Sequence, residues 1–271
     1  MIKKLIVTDI DGTLLDSTSN IPQSAIKALA YAKENGAYFT LASGRTLNGV
    51  MPLVDTFKIT CPLILANGAI VYDIKNQKTI FKKLIDKKTA KQLANIIKSE
   101  NAFFYFYDEG SVYATDIRYA IAYYDKMNKL GKTNLPIHLV EDLEAASQKH
   151  DAIKFVIHED DLSTIAYLRK IFEPIEQKLE ISSSAPWNIE ITAAKLSKGS
   201  GVIELAKYLG VDMQNVMCIG DELNDLSMLK VAGFAVAMGN ANEELKKVAH
   251  FITDDNNNDG FAKAIYKFME K

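Results

Sequence analysis

Short apolar runs alternate with segments of helical periodicity over about the first 70 residues of the chain. The pattern predicts strands over Ile2–Val7, Tyr38–Ala42 and Leu63–Ala66, and helices over Pro22–Asn35 and Leu47–Phe57. A strand–helix–strand rhythm is typical of right-handed βαβ units, which form a parallel sheet with helices on both faces. The start of the chain therefore predicts an α/β fold.

The same alternation returns in the last third of the chain. The predicted elements, in chain order, are a helix over Gly201–Leu209, a strand over Val216–Ile219, a helix over Leu226–Val231, a strand over Phe234–Ala237, a helix over Glu243–Ala249, a strand over Phe251–Thr253 and a helix over Phe261–Met269. Parallel sheets of this kind bind ligands at the carboxyl ends of their strands. We therefore expect chemistry where these strands end.

The middle of the chain has a different residue pattern, with β-rich and partly aromatic segments: FFYFYDEG, SVYATD, AIKFVIHE and LEISSS. Helical patterns over Thr89–Ser99 and Leu162–Phe172 lie among them. We interpret residues 84–187 as an α+β domain inserted into a core made of residues 1–83 and 188–271, with hinges near Phe81–Leu84 and Pro186–Ile191. The aromatic stretch Phe103–Tyr107 is expected to pack in a core, because its period-two aromatics fit a strand.

Composition and charge exclude several classes of protein. Hydrophobic residues make up 48% and charged residues 24%, as in ordinary globular proteins. The net charge of −2 gives no reason to expect nucleic acid or a membrane as a partner. Cys61 and Cys218 lie in apolar stretches and are expected to be buried, reduced thiols. Since no apolar run is long enough to span a membrane and the N-terminus does not resemble a signal peptide, we expect a cytoplasmic protein.

Two of the predicted strands end in small or acidic residues. Asp9 and Asp11 follow the first strand, and Gly12 then allows a sharp turn. Such a pair fits either a solvated acidic turn or a site for a cation, a proton or a nucleophilic attack. The second strand ends in LASGR, where Ser43 and Gly44 offer a hydroxyl and an unhindered N–H that together can hold a phosphoryl oxygen, although small residues are common after strands.

Two later segments carry charges in unusual places. Lys198 in LSKGSGV stands at a helix start, where a cation opposes the helix dipole unless an anion lies nearby; an exposed lysine is the alternative. In IGDELNDLSML, Asp221 and Asp225 are four residues apart and would repel each other unless a cation lies between them. Because the donors are carboxylate oxygens, Mg²⁺ fits better than zinc, whereas an exposed acidic helix start is the structural alternative.

The order DxDGT, SGR, KG, GDExND resembles the motifs of the haloacid dehalogenase superfamily of aspartate-nucleophile phosphatases. More narrowly, the chain is similar to the Cof-type hydrolases, which are sugar-phosphatase-like members with a large inserted α+β cap. The segments LILANGAIVYD and AMGNANEELKKVAHFIT…DGFAKAI also resemble that subfamily. The resemblance implies a Rossmann-like parallel-sheet core and a cap that selects the substrate.

The resemblance also implies roles for the residues. Asp9 would be the nucleophile, and Asp11 the general acid and then the general base. Mg²⁺ would be held by the Asp9 carboxylate, the Asp11 backbone carbonyl and Asp221, with Asp225 holding either a water on the ion or Lys198. The resemblance places the phosphoryl-binding groups at Ser43, Lys198 and Asn224. Thr13 is expected to fix the loop.

These inferences predict a Mg²⁺-dependent phosphatase that hydrolyses small phosphomonoesters, with sugar phosphates or similar metabolites as substrates and an aspartyl-phosphate as intermediate. Two alternatives stay open: a phosphohexose mutase, and a non-catalytic sensor that binds a phosphorylated metabolite. The four histidines are scattered and none is assigned to catalysis. The residues favour no particular oligomeric state.

Overall fold

The structure is a computed structural model that describes residues 3–131 and 133–270. The strands, in chain order, are β1 (Leu5–Thr8), β2 (Tyr38–Leu41), β3 (Leu63–Leu65), β4 (Ile70–Asp73), β5 (Lys78–Lys82), β6 (Phe103–Tyr107), β7 (Val112–Ala114), β8 (Ile137–Leu139), β9 (Lys154–His158), β10 (Leu179–Ser182), β11 (Asn188–Ala193), β12 (Val216–Gly220), β13 (Phe234–Ala237) and β14 (Phe251–Ile252). The helices are α1 (Gln23–Glu34), α2 (Leu47–Phe57), α3 (Lys87–Ser99), α4 (Tyr119–Lys129), α5 (Leu143–Lys149), α6 (Leu162–Phe172), α7 (Lys198–Leu209), α8 (Leu226–Val231), α9 (Glu243–Val248) and α10 (Gly260–Met269). Short 3₁₀ turns occupy Ala66–Gly68, Glu173–Lys178, Met213–Asn215 and Leu223–Asp225.

The described residues divide into two compact units. The core unit consists of residues 3–44, 57–82 and 197–270. The inserted unit consists of residues 45–56 and 83–196, apart from residue 132. Each unit has its own sheet and its own buried apolar residues.

The core unit is built on a five-stranded parallel sheet with the strand order β14-β13-β12-β1-β2. All four residues of β1 are buried, as expected for a central parallel strand that is covered on both faces. The apolar faces of α1 and α10 pack against each other, as do α7 and α8. A three-stranded antiparallel sheet, β3-β4-β5, continues the unit beyond β2. The α/β fold with a parallel-sheet core, predicted from the sequence, is confirmed.

The inserted unit contains a six-stranded sheet with the order β10-β11-β9-β6-β7-β8, antiparallel except for the pair β7–β8. Every residue of β6, Phe103–Tyr107, is buried, so its aromatic side chains pack on both faces of the sheet. The expectation that this stretch packs in a core is confirmed. The helices α4 and α5, which also belong to this unit, were not predicted from the sequence.

The sequence placed residues 188–193 in the core, but the structure makes them a strand of the other sheet. Strand β11 (Asn188–Ala193) pairs antiparallel with both β9 and β10. Five of its six residues are buried, because the strand lies inside the sheet rather than at its edge. Residues 45–56, which include all of α2 except Phe57, also group with the inserted unit, although they lie between two core strands in sequence.

Both cysteines, Cys61 and Cys218, are buried and unpaired thiols, as expected. Burial raises the pKa of Cys61 to about 12, so this thiol is protonated at neutral pH. Within the described ranges, we find no helix with the length and apolar character needed to cross a membrane.

Candidate active site

The register of the parallel sheet brings three chain segments to one edge of the core unit. Strand β1 lies between β2 and β12, and its last residue, Thr8, is level with Leu41 and Ile219. The residues that follow these strands therefore emerge together at the carboxyl edge. Asp9 comes directly after β1, where its backbone N–H donates to the carbonyl of Ile219 at 3.0 Å. This is the edge at which the sequence analysis expected the site.

Lys198 reaches this edge from the first turn of α7. Its helix begins there because Ser197 caps it: the Ser197 hydroxyl accepts from the N–H of Ser200, and the Ser200 hydroxyl accepts from the N–H of Ser197. The Lys198 side chain is only 1% exposed, and its Nζ donates to Oδ1 of Asp9 and to Oδ1 of Asp225, each at 2.6 Å. The two carboxylates supply the negative charge that a lysine at a helix start requires.

Asp225 is fixed by donors on both of its carboxylate oxygens. Oδ1 accepts from Lys198, and Oδ2 accepts from the backbone N–H groups of Asp221 and Glu222 at 3.0 and 3.1 Å. The side chain is fully closed to solvent. Of the two contacts considered for Asp225 from the sequence, the structure contains the one to Lys198.

Asp221 follows β12 and lies against the loop that carries Asp11. Its Oδ1 accepts from the hydroxyl of Thr13 at 2.6 Å, so Thr13 ties the two loops together. Its Oδ2 lies beside Gly12, where an added Cβ would come within 2.2 Å of that oxygen. The positive φ of Gly12 and this close approach explain why the DxDGT segment has glycine at this position.

The buried charges at this edge perturb one another. Burial, then the charge of Asp225, raises the pKa of Asp9 well above its usual range, although Lys198 opposes the shift. Burial and Asp225 likewise raise the pKa of Asp221 to about 7. For Lys198, burial alone would lower the pKa, but Asp225 and Asp9 outweigh it, and the pKa is raised above its usual value. The site therefore holds more negative charge than its lysine neutralises.

The acidic cluster fits a hard divalent cation. Asp9, Asp221 and Asp225 each offer a carboxylate oxygen, and these atoms lie within 4.8 Å of one another. Oxygen donors of this kind suit Mg²⁺. Because both oxygens of Asp225 already accept hydrogen bonds, we expect Asp9 and Asp221 to be the side chains that bind the ion, and Asp225 to orient them.

The other residues singled out from the sequence follow the strands β1, β2 and β12. Asp11 is exposed. Ser43 is buried, and its N–H donates to the carbonyl of Ile64 at 2.9 Å. Gly44 is half-buried and is the last residue of the first stretch of the core unit, residues 3–44. Asn224 is half-buried in the 3₁₀ turn, one residue before Asp225.

A loop that the sequence analysis did not assign supports Ser43. The backbone N–H of Asn67 donates to the carbonyl of Ser43 at 3.0 Å. Ala66, Asn67 and Gly68 all have positive φ, at 48°, 55° and 91°. Such a run is costly for residues other than glycine and is found where the surrounding structure imposes it. The Asn-Gly pair in LILANGAIVYD is the sequence signal from which this left-handed turn could have been predicted.

The family model described as haloacid dehalogenase-like hydrolase matches residues 6–265 of the chain. The chain belongs to this haloacid dehalogenase-like hydrolase family. The resemblance noted in the motifs is thereby confirmed.

Relatives of this haloacid dehalogenase-like hydrolase include several phosphatases. It is 33% identical to the 5-amino-6-(5-phospho-D-ribitylamino)uracil phosphatase YcsE of Bacillus subtilis, over 97% of this chain and 94% of the relative. It is 29% identical to the pyridoxal phosphate phosphatase YbhA of Escherichia coli, over 99% and 100%. Its structure resembles that of the subclass IIB sugar phosphatase BT4131, with a TM-score of 0.84, 27% identity and coverage of 98% and 99%.

Proposed function

We propose that this chain is a Mg²⁺-dependent phosphomonoesterase that hydrolyses small phosphorylated metabolites through an aspartyl-phosphate on Asp9. The observation that carries the proposal is the position of Asp9: a buried carboxylate directly after β1, in contact with Lys198 and within reach of Asp221. Relatives at about 30% identity along nearly their whole length are phosphatases, which supports the same reaction class.

The proposed reaction has two displacements. In the first, a carboxylate oxygen of Asp9 attacks phosphorus, the bond from phosphorus to the ester oxygen breaks, and Asp11 gives a proton to the leaving alcohol. In the second, Asp11 takes a proton from water, the water oxygen attacks phosphorus, and inorganic phosphate leaves Asp9 free. One residue serves both steps because it starts protonated and becomes the base when it has given its proton away.

Charge explains why Asp9 needs the groups around it. A carboxylate at about 4 Å from a phosphate experiences roughly 4 kcal/mol of repulsion per charge pair at an effective dielectric near 20. Lys198 contributes one positive charge at Asp9, and Ser43, Gly44 and Asn224 are proposed to hold the phosphoryl oxygens. Mg²⁺ held by Asp9, Asp221 and the Asp11 carbonyl would, when bound, offset the remaining negative charge.

The substrate class follows from the relatives. The names of three of them specify a ribitylaminouracil phosphate, pyridoxal phosphate and sugar phosphates. All are small soluble phosphomonoesters, and we propose a compound of this class for the present chain. The inserted unit is proposed to select the leaving group, because the residues around Asp9 would contact only the phosphate.

The test is turnover of p-nitrophenyl phosphate with and without Mg²⁺. We expect wild-type turnover that requires Mg²⁺, and none above background in Asp9→Asn, which keeps the shape of the side chain but removes the nucleophilic oxygen. Asp212→Asn, at an exposed cap of a 3₁₀ turn, is the matched control and should keep full activity. Full activity in Asp9→Asn would contradict the assignment of the nucleophile.

Product analysis separates the hydrolase from the alternatives. With a panel of phosphorylated metabolites, a hydrolase releases inorganic phosphate and free alcohol in equal amounts. Transfer of the phosphoryl group to another hydroxyl of the same sugar would indicate a mutase instead. Tight binding of a metabolite without release of phosphate would indicate a sensor.

A further inference from the structure

Two asparagines hold the loop that follows Asp11. Nδ2 of Asn240 donates to the backbone carbonyl of Gly12 at 2.9 Å, and Nδ2 of Asn256 donates to the backbone carbonyl of Leu15 at 2.9 Å. Asn240 is exposed, whereas Asn256 is buried. The two contacts lie three residues apart on the loop and therefore fix both the start and the end of its turn.

The two asparagines are also joined to each other. The backbone N–H of Asn256 donates to Oδ1 of Asn240 at 3.1 Å, so the Asn240 amide uses its donor and its acceptor at once. The loops that carry them, after β13 and β14, are connected by the N–H of Gly239, which donates to the carbonyl of Asp254 at 3.0 Å. The two asparagines therefore belong to loops that follow strands of the core sheet, and not to the loop with which they form hydrogen bonds.

The same region also reaches Asp221. The backbone N–H of Asn242 donates to the Asp221 carbonyl at 2.8 Å. The segment Met238–Asn242 therefore contacts both the loop with Asp11 and the loop with Asp221. This gives a structural role to the AMGNAN segment, which the proposed reaction leaves without one.

Asp11 lies on the loop that these contacts hold, one residue before Gly12. Its side chain is exposed, and its neighbour Gly12 has a positive φ and no side chain to pack. A shift of the loop backbone therefore moves the Asp11 carboxyl. A general acid acts only within hydrogen-bond reach of the oxygen it protonates. A small displacement of the loop therefore lowers the rate of proton transfer.

We propose that Asn240 and Asn256 are positioning residues that hold Asp11 in place for proton transfer to the leaving group. The proposal rests on the function proposed above. It predicts that replacing either asparagine lowers kcat/KM by a factor that depends on the leaving group. A nitrophenolate leaves readily without a proton, whereas an alkoxide needs one from Asp11 as the phosphorus–oxygen bond breaks.

The test compares two esters in Asn240→Leu, at an exposed position where the variant is expected to fold. One ester is p-nitrophenyl phosphate, and the other is the alkyl phosphate that the wild-type protein turns over fastest. We expect kcat/KM to fall about tenfold or more for the alkyl ester and to stay within about threefold for the aryl ester. Asn256→Leu should show the same pattern, provided that its circular dichroism matches the wild type.

Asn35→Leu is the matched control. Nδ2 of Asn35 also donates to a backbone carbonyl, that of Tyr31, at 2.9 Å and in an exposed position, but at the end of α1. This variant should leave both kcat/KM values unchanged. Hydrogen exchange at residues 12–16 should be faster in Asn240→Leu than in the wild type or in Asn35→Leu.

The outcomes separate this proposal from the function on which it rests. A wild-type protein without phosphatase activity contradicts the proposed function. An active wild type in which Asn240→Leu loses the same factor on both esters, or loses nothing, contradicts the positioning role alone. Unchanged exchange at residues 12–16 in Asn240→Leu also overturns it.

Discussion

The side-chain nitrogen of Lys198 lies 2.6 Å from Oδ1 of Asp225, and both side chains are closed to solvent. A buried ion pair adds little net stability, because both charges lose their hydration when the protein folds. What the pair does provide is position. Asp225 is held by two backbone amides, and Lys198, held by Asp225, is aimed at Asp9.

Lys198→Met tests how much the buried acids depend on this lysine. We expect the free energy of unfolding to fall by about 3–5 kcal/mol, because the carboxylates of Asp9 and Asp225 lose their cation inside the protein. Phosphatase activity should fall by about a hundredfold or more, since we propose that Lys198 also offsets charge at the reacting phosphate. Urea denaturation and p-nitrophenyl phosphate kinetics measure the two effects.

Lys207→Met is the control for that substitution. Lys207 is exposed on the same helix, and its loss should change stability by no more than about 0.5 kcal/mol. A Lys198→Met protein as stable as this control would show that Asp9 and Asp225 do not need a cation in the folded state.

Asp221→Asn and Asp225→Asn should affect Mg²⁺ differently. We expect Mg²⁺ to raise the Tm of the wild-type protein. Asp221 has an oxygen available to the ion, so Asp221→Asn should remove that increase. Both oxygens of Asp225 are engaged by the protein, so Asp225→Asn should keep that increase but need about 10- to 100-fold more Mg²⁺. Thermal melts over a Mg²⁺ titration show which variant loses the increase in Tm. If Asp225→Asn loses it and Asp221→Asn keeps it, Asp225 is the direct ligand.

Gly12→Ala should lower the free energy of unfolding by more than its backbone conformation alone predicts. Gly12 has a φ of 78°, and a Cβ there would come within 2.2 Å of Oδ2 of Asp221. Gly36 has almost the same φ, 80°, with nothing within 4 Å of an added Cβ. Gly36→Ala therefore measures the cost of the backbone, about 1 kcal/mol. Gly12→Ala should add to that cost and weaken Mg²⁺ binding, and equal effects of the two variants on both properties would contradict the observed contact.

His158 is expected to make stability depend on pH. Its ring stacks on Tyr119 with centroids 3.6 Å apart, and burial lowers its pKa, although Asp160 and Glu159 oppose the shift. Since the pKa is lower in the folded state than the usual 6.5, the unfolded chain binds the proton more tightly. Protonation therefore favours unfolding, and stability should fall as the pH drops below about 6.5.

The measurement is urea denaturation of the wild type and His158→Gln at about pH 8 and about pH 5.5. At the higher pH the imidazole is neutral in both states, so the difference between the two proteins reports only the lost stacking. At the lower pH the wild type should lose more stability than the variant. A pH dependence that is the same in both proteins would show that His158 does not contribute to it.

The sequence predicted the core unit well because its elements are periodic and its motifs are local. The helix Leu226–Val231 and the strand Phe234–Ala237 have the predicted bounds. Each is a run of one clear period between turn residues. The acids at the strand ends were found because a parallel sheet brings successive carboxyl ends to one edge.

What the sequence missed depends on contacts between distant segments. The helix α4 has a mixed pattern with Tyr and Lys on several faces, and a single buried residue, Ile121, marks its inner side. The membership of β11 in the six-stranded sheet is set by its partners β9 and β10, which its own residues do not specify. The choice between two contacts for Asp225 likewise needed the position of Lys198, 27 residues away.

The membership of residues 45–56 in the inserted unit bears on protein engineering. A chimera that transplants only the continuous segment 83–196 from a relative would join a foreign sheet to the native residues of α2, and the graft would have mismatched packing inside one unit. Both stretches have to be exchanged together for the transplanted module to retain its own interior. If the inserted unit selects the leaving group as proposed, specificity is encoded in two separate pieces of the gene, one of which directly follows Ser43 and Gly44.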